Sequence, residues 1–325
     1  MNAAAFPSPV IIAHRGASGY RPEHTLAAYE LAIEQGADFI EPDLVATRDG
    51  VLIARHENEI AETTDVAARP EFADRRTTRE IDGRPVTGWF TEDFTLAEIR
   101  TLRARERLPF RDHSRDGRFL VPTFAEVLDL ARRKSREGGR TIGVYPETKH
   151  PTYFRAIGLP LEEPLLRDLA AAGYRRRDAP VYIQSFEAGN LKALREATDL
   201  PLIQLLEDRG GPFDRPGTTY EDLVRPAGLA AIAAYADGIG PNKRLIAPVD
   251  AEGRLLPPTS LVRDAHAAGL LVHPWTMRSE ASFLAAGYGG DPAREIIQFI
   301  ELGVDGLFCD FPDIAVAARR RGEHT

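Results

Sequence analysis

The sequence predicts an α/β protein, a (β/α)8 TIM barrel in one domain spanning residues 1–325, with a small inserted subdomain on its rim at residues 57–120. Three observations predict it. Short apolar runs alternate with amphipathic segments along the chain. The runs number eight, the strand count of a closed barrel. Glycine follows four of the amphipathic segments, where a helix C-terminal cap belongs.

Read as strands, the runs cover residues 10–13, 39–45, 142–146, 181–185, 202–206, 238–241, 270–275 and 306–309. Most are rich in Val, Ile, Leu or Phe, bounded by Gly or Pro, and too short for core helices. The run at 238–241 is weak in composition and is placed by its position in the alternation. Helical patterns cover residues 26–35, 124–133, 161–171, 191–197, 261–267 and 293–302, and Gly36, Gly173, Gly269 and Gly303 follow four of them. A further apolar run at 51–54, after the turn Arg48-Asp49-Gly50, reads as a hairpin strand. It leads into residues 57–120, a polar, charge-dense stretch without a clean repeat of either period. A barrel of this kind usually takes about 250 residues, so this stretch accounts for the surplus and reads as a cap over the active-site mouth. The alternative, a doubly wound open sheet, would lack the closing strand–helix pair near the C-terminus.

The charge balance, 41 basic against 49 acidic residues for a net −8, offers no bulk attraction to nucleic acid or anionic membrane. One cysteine excludes an internal disulfide framework and a cysteine-based zinc site. No run reaches the 18 or so apolar residues of a spanning helix, which argues against an integral membrane protein. Residues 1–7 lack a basic segment followed by an apolar stretch. The chain as written therefore reads as cytoplasmic, or as periplasmic or secreted if a leader has been removed. Oligomeric state, monomer or dimer, has no readable signal.

Function is expected at the C-terminal strand ends, where a barrel places its chemistry. The first strand ends in His14-Arg15-Gly16, the second in Glu41-Pro42-Asp43, the third in Glu147-Thr148-Lys149, and the hairpin strand in Arg55-His56. Glu41 and Asp43 are two apart on a strand and share a face, with Glu147 beside them on the next strand. Two carboxylates about 4 Å apart repel by roughly 4 kcal/mol at an effective dielectric near 20. A divalent cation removes that cost, and all-oxygen ligation suits Ca²⁺ or Mg²⁺. The bland reading pairs each carboxylate with an arginine. His14 and His56 flank the cluster and suit a general acid and base. Arg15 and Lys149 supply positive charge for phosphate oxygens. The set reads as a metal-assisted phosphoryl transfer or hydrolysis site.

These motifs, with Pro22-Glu23-His24-Thr25, Thr47-Arg48-Asp49-Gly50 and the tail from Gly303 to Pro312, resemble the glycerophosphodiester phosphodiesterase family over nearly the whole chain. The segment Gly143-Val144-Tyr145-Pro146-Glu147-Thr148-Lys149, with Thr64-Asp65-Val66 and Asp237-Gly238-Ile239-Gly240-Pro241, is most similar to the bacterial periplasmic-type branch. The resemblance implies hydrolysis of glycerophosphodiesters, such as glycerophosphocholine and glycerophosphoethanolamine, to sn-glycerol 3-phosphate and an alcohol. It implies Glu41, Asp43 and Glu147 as ligands of one divalent cation, His14 and His56 as the acid/base pair, and Arg15 and Lys149 as phosphate contacts. Glu23 would orient Arg15 or the ligands. Two positions depart from the family pattern: His24 stands where Asn is common, and Glu57 where Asp follows the second histidine. His24 also reads as a local helix-cap variant.

Trp275 and Phe308 would wall the glycerol carbons, or fill the top layer of the barrel. Gln184 would hydrogen-bond near the phosphate, or satisfy backbone groups. Cys309 reads as a small buried hydrophobe, and Arg319-Arg320-Arg321 as a solvated helix end. Three rivals remain at this stage. A phospholipase D-like enzyme on lysophospholipids or sphingolipids would favour an exposed apolar loop at the mouth, whereas residues 57–120 are mostly charged. A metal-dependent sugar isomerase would add carboxylates on later strands, which offer no obvious set. A non-catalytic binding protein would not need both histidines beside three carboxylates.

Overall fold

The computed structural model describes residues 6–322, so the reading of a leader at residues 1–7 falls largely outside the described residues. The first barrel strand, β1 (Val10–His14), is buried throughout. The second is broken at Pro42 into β2 (Phe39–Glu41) and β3 (Asp43–Ala46), because proline has no N–H to give the ladder. β4 (Leu52–Ala54) folds back antiparallel on β3. β5 (Thr77–Ile81) and β6 (Arg84–Gly88) pair as a separate hairpin. The third barrel strand is broken around Pro146 into β7 (Gly143–Val144) and β8 (Glu147–Thr148). β9 (Ile183–Ser185), β10 (Leu202–Leu206), β11 (Gly238–Pro241), β12 (Leu271–Val272) and β13 (Gly306–Cys309) follow.

The two breaks divide the barrel wall into a segment ordered β13-β1-β2-β7 and one ordered β12-β11-β10-β9-β8-β3-β4. Parallel bridges Val144–Val181 and Met277–Cys309 join the segments, so the wall closes into the expected (β/α)8 barrel. The continuous strands expected at 39–45 and 142–146 are thus each two pieces. The seventh strand is also shorter than expected, and Trp275 lies beyond it, bridged to Asn242.

Side chains alternate along the strands. Val10 and Ile12 of β1 point into the barrel with Phe39, Tyr145, Ile203 and Phe308, while Ile11 and Ala13 belong to the outer core beneath the helices. The large inner residues face glycines. A Cβ on Gly143 would lie 2.1 Å from the Phe39 ring, and one on Gly238 would lie 2.8 Å from Ile203. That is why the 238–241 run is poor in apolar side chains yet forms a strand. Burying the Phe39 side chain contributes about 2–3 kcal/mol.

The helices start where the sequence offers caps. Thr25 Oγ1 accepts from Ala28 N–H at 3.1 Å ahead of the helix Leu26–Glu34. Thr123 and Glu126 form a capping box on the helix Phe124–Gly138, five residues longer than its apolar pattern, which ends against Gly139 at φ +63°. Thr25, not His24, is the cap. Arg319 departs from its reading as solvated: it is buried and donates to Pro9 O at 2.9 Å beside Asp38. Cys309 is buried, as read. Among the described residues no helix is long and apolar enough to cross a membrane.

Residues 57–120 hold short 3-10 turns, the β5–β6 hairpin and one short helix, Leu96–Ile99. Ion pairs tie them to the barrel. Arg107 reaches Glu23 at 2.9 Å, and Arg111 reaches Glu280 and Asp310, each at 2.6 Å.

Candidate active site

Strand register assembles the carboxylates. His14 pairs with Glu41, Asp43 with Glu147, and Glu147 with Gln184 across adjacent strands. Glu41, Asp43 and Glu147 each offer an oxygen within 4.8 Å of the others, and all three are buried. The proline breaks lie between Glu41 and Asp43 and just before Glu147, so each interrupts its ladder beside a carboxylate of the cluster.

Their partners are mixed rather than uniformly arginine. Glu41 accepts from Arg15 N–H at 2.8 Å and from Gln184 Nε2 at 3.1 Å. Asp43 Oδ2 lies 2.9 Å from His24 Nε2 and 3.3 Å from Arg15 Nε. Glu147 pairs with Lys149 at 3.0 Å. Asp43 Oδ1 and Gln184 Oε1 are buried without any hydrogen-bond partner. Burial, then the charge of Asp43, pushes Glu41 well above the usual carboxylate range. Burial also raises Glu147, to about 8, against the pull of Lys149. Asp43 goes the other way, because His24 and Arg15 outweigh its burial. Crowded buried carboxylates that retain protons, beside an orphaned carboxylate oxygen, fit a hard divalent cation: it would displace the protons and satisfy that oxygen.

Both histidines are held by carboxylates. His14 Nδ1 donates to Asp310 Oδ1 at 2.6 Å, which leaves Nε2 for the cavity that the ring lines. Burial and Arg15 depress His14 to about 4, with Asp310 opposing, so the ring is neutral near pH 7. His56 Nδ1 lies 2.8 Å from Glu57, and its Nε2 accepts from Lys149 Nζ at 3.3 Å. Its packing, then Arg15 and Lys149, lowers it too. Glu57 continues outward to His150 at 2.8 Å, and His150 to Asp82 in the β5–β6 turn at 2.6 Å.

Arg15 sits in the left-handed region at φ +61°, followed by Gly16, whose added Cβ would lie 2.7 Å from the Ala28 backbone. Its Nη1 donates to both Glu23 oxygens, at 3.2 and 3.1 Å, so Glu23 orients Arg15. Lys149 is buried, yet Glu147 and Asp43 outweigh that burial and keep it charged. The cavity, about 380 Å³, is lined by both histidines, Arg15, Glu41, Glu147, Lys149, Gln184, Trp275 and Phe308, so the chain brings these expected site residues together. Gln184 touches a carboxylate rather than backbone. Trp275 donates to Gly240 O at 2.7 Å and packs edge-on to Phe186, 5.9 Å between centroids. Phe308 both fills the barrel and floors the cavity.

Several site residues were not singled out by the sequence reading. Asp310 receives His14, Arg111 at 2.6 Å and Arg278 at 3.0 Å. His24, which the sequence singles out as a departure serving local turn or shell geometry or a helix cap, contacts the candidate ligand Asp43 and caps no helix, with its Nδ1 2.8 Å from Tyr29 Oη. Arg107, Arg278, Phe186 and Glu207 also line the cavity.

The chain is similar to known proteins over nearly its whole length. The model of the glycerophosphoryl diester phosphodiesterase family matches residues 14–314. An Arabidopsis thaliana glycerophosphodiester phosphodiesterase is 41% identical over 93% of this chain and 84% of its own length. A Bacillus subtilis glycerophosphodiester phosphodiesterase is 30% identical over 93% and 84%. In fold, the chain is similar to a glycerophosphoryl diester phosphodiesterase crystal structure from Silicibacter pomeroyi, with TM-score 0.69 at 24% identity, covering 98% and 95%. It is also similar to an Oleispira antarctica phosphodiesterase in complex with the product sn-glycerol-3-phosphate, with TM-score 0.64 at 19% identity, covering 96% of each. With this match spanning the barrel and the assembled site, the chain belongs to the glycerophosphoryl diester phosphodiesterase family of enzymes.

Proposed function

We propose that the chain hydrolyses water-soluble glycerophosphodiesters, glycerophosphocholine and glycerophosphoethanolamine among them, to sn-glycerol 3-phosphate and an alcohol, with one divalent cation, Ca²⁺ or Mg²⁺, at Glu41, Asp43 and Glu147. The observation that carries this reading is the buried carboxylate trio with its orphaned Asp43 oxygen, set in one cavity with two carboxylate-held histidines. The similar structure with bound sn-glycerol-3-phosphate supports the product. When bound, the cation would supply charge neutralisation for phosphoryl oxygens. Arg15 and Lys149 grip the phosphate, one as a fork and the other as a point charge.

His14 and His56 divide the proton work. One Nε2 takes the proton from the nucleophile, water or the substrate's adjacent hydroxyl, and the other imidazole gives a proton to the departing alcohol oxygen. Asp310 and Glu57 hold the Nδ1 protons, so the ring that acts as base presents a bare Nε2, while the ring that acts as acid must enter the step as an imidazolium with a second proton on Nε2. The mostly charged stretch at residues 57–120 favours a soluble headgroup over an acyl chain. The test is release of sn-glycerol 3-phosphate from glycerophosphocholine with and without EDTA, then with Ca²⁺ or Mg²⁺ restored. Product that vanishes on chelation and returns with metal is the expected result. No product from a folded sample under either ion would overturn the reading.

A further inference from the structure

The catalytic cavity does not stand alone. A second cavity, about 560 Å³, adjoins it, and the two share Glu147, Lys149, Phe186 and Glu207 as a common wall. The β5–β6 hairpin, the loop after β10, the segment after β8 with His150, and Glu57 and Glu187 build the rest. Tyr220, buried in this wall, packs on Phe186 with 6.4 Å between ring centroids. Its acids divide into two kinds. Glu57 and Asp82 have His150, and Glu147 has Lys149. Glu187 and Glu207 have only neutral donors: Thr152 N–H and hydroxyl for the first, Asp208 N–H and the Asn242 amide for the second. Neither forms an ion pair among the described residues. Glu187 is 4% exposed, whereas the arginines of the same wall, Arg84 and Arg209, stand in solvent.

We propose that this second cavity receives the leaving alcohol and selects alcohols that carry an ammonium group. The inference rests on the phosphodiesterase reading above. Lys149 and Glu207 both lie in the shared wall, so a phosphoryl group held by Lys149 has the second cavity beside it for the alcohol. As the nucleophile's oxygen bonds to phosphorus, the P–O bond to the alcohol breaks, and its electron pair leaves with the alcohol oxygen, which takes a proton from a histidine. An ammonium group beyond that oxygen sets its charge against Glu207 and Glu187 and its carbons against Phe186 and Tyr220. A neutral alcohol leaves both carboxylates without a counter-charge, so the cavity discriminates against it as well as for the cation.

The test compares kcat/KM for glycerophosphocholine, glycerophosphoethanolamine and glycerophosphoglycerol in the wild type, Glu207→Gln and Glu187→Gln. The wild type is expected to prefer the two cationic substrates by about tenfold, the worth of one partly desolvated cation contact. That ratio should fall toward one in both variants. Glu187 borders only the second cavity, so its variant separates headgroup selection from any effect on the catalytic cavity. If that variant does not fold, competition by free choline against glycerophosphoglycerol hydrolysis, strong in the wild type and weakened in Glu207→Gln, reads the same contact. Equal kcat/KM for all three substrates in the wild type overturns the proposal and leaves the phosphodiesterase activity standing, as does a preference that survives both substitutions. Release of product from none of them overturns the phosphodiesterase reading with it.

Discussion

Replacing Asp310 with Asn tests whether His14 works as an oriented base. The Asp310 carboxylate is buried and accepts from His14 Nδ1, Arg111 Nη2 and Arg278 Nε at 2.6, 2.6 and 3.0 Å. An amide there turns an NH₂ or a weaker carbonyl toward the ring, so the Nδ1–H tautomer is no longer enforced. The rate loss expected for disabling one acid–base partner is about 10²–10⁴-fold. Stability falls as well. Charge-assisted bonds are each worth about 1.5–3 kcal/mol, but Arg111 keeps Glu280 at 2.6 Å and Arg278 is partly exposed. The net loss is then near the lower end of the roughly 3–5 kcal/mol for breaking a buried pair. Burial and Arg15 already depress His14 to about 4, and Asp310 opposes them. Without the carboxylate the base is weaker still, so the acid limb of kcat/KM moves to lower pH. The assay is steady-state release of sn-glycerol 3-phosphate across pH, with thermal unfolding alongside. A folded variant whose kcat stays within about threefold of wild type, with an unmoved acid limb, would refute the reasoning.

Other consequences follow from the same geometry. Glu41→Gln should raise the melting temperature of the metal-free protein, by relieving a buried carboxylate held well above its ordinary range, and should abolish the melting shift that Ca²⁺ or Mg²⁺ gives the wild type; scanning fluorimetry with and without metal reads both. His150 lies between Asp82 and Glu57 and is raised to about 9, so its contribution is full below about 6.5 and is lost as pH rises through 9. Urea unfolding of His150→Gln should therefore show a shallower stability loss between pH 7 and 9 than wild type, by on the order of 2 kcal/mol. Lys243→Met should cost about 3–5 kcal/mol by stranding Glu295, its buried partner at 2.8 Å, and adding Glu295→Leu should recover most of that in chemical denaturation.

What was legible in the sequence is what lies close along the chain or follows from strand periodicity. Glu41 and Asp43 share a face because they are two residues apart, and Glu147 joins them because adjacent strands place their C-terminal ends together. The proline breaks were equally readable, since Pro42 and Pro146 stand inside runs that a continuous ladder cannot accept. Continuous strands were nevertheless expected there, because each apolar run was read through its proline. His24 was read as a cap because it precedes a helix. Only its backbone at φ +54° turns the ring back to Asp43.

The least legible residues were those whose roles depend on contacts between segments far apart. Asp310 is 296 positions from His14, and nothing in the tail where it stands says that it faces a histidine rather than solvent. Arg107 and Arg111 come from a stretch with no period, so its many arginines looked alike; two of them close on Glu23 and Asp310, the carboxylates that orient Arg15 and His14. Residues 57–120 therefore reach the cavity through charge pairing, Arg107 with Glu23 and Arg111 with Asp310, and begin directly after His56. A change in Arg111 would reach the His14 ring through Asp310. Effects of Arg111→Ala and Asp310→Asn on kcat should accordingly overlap rather than add, as residues in one network do.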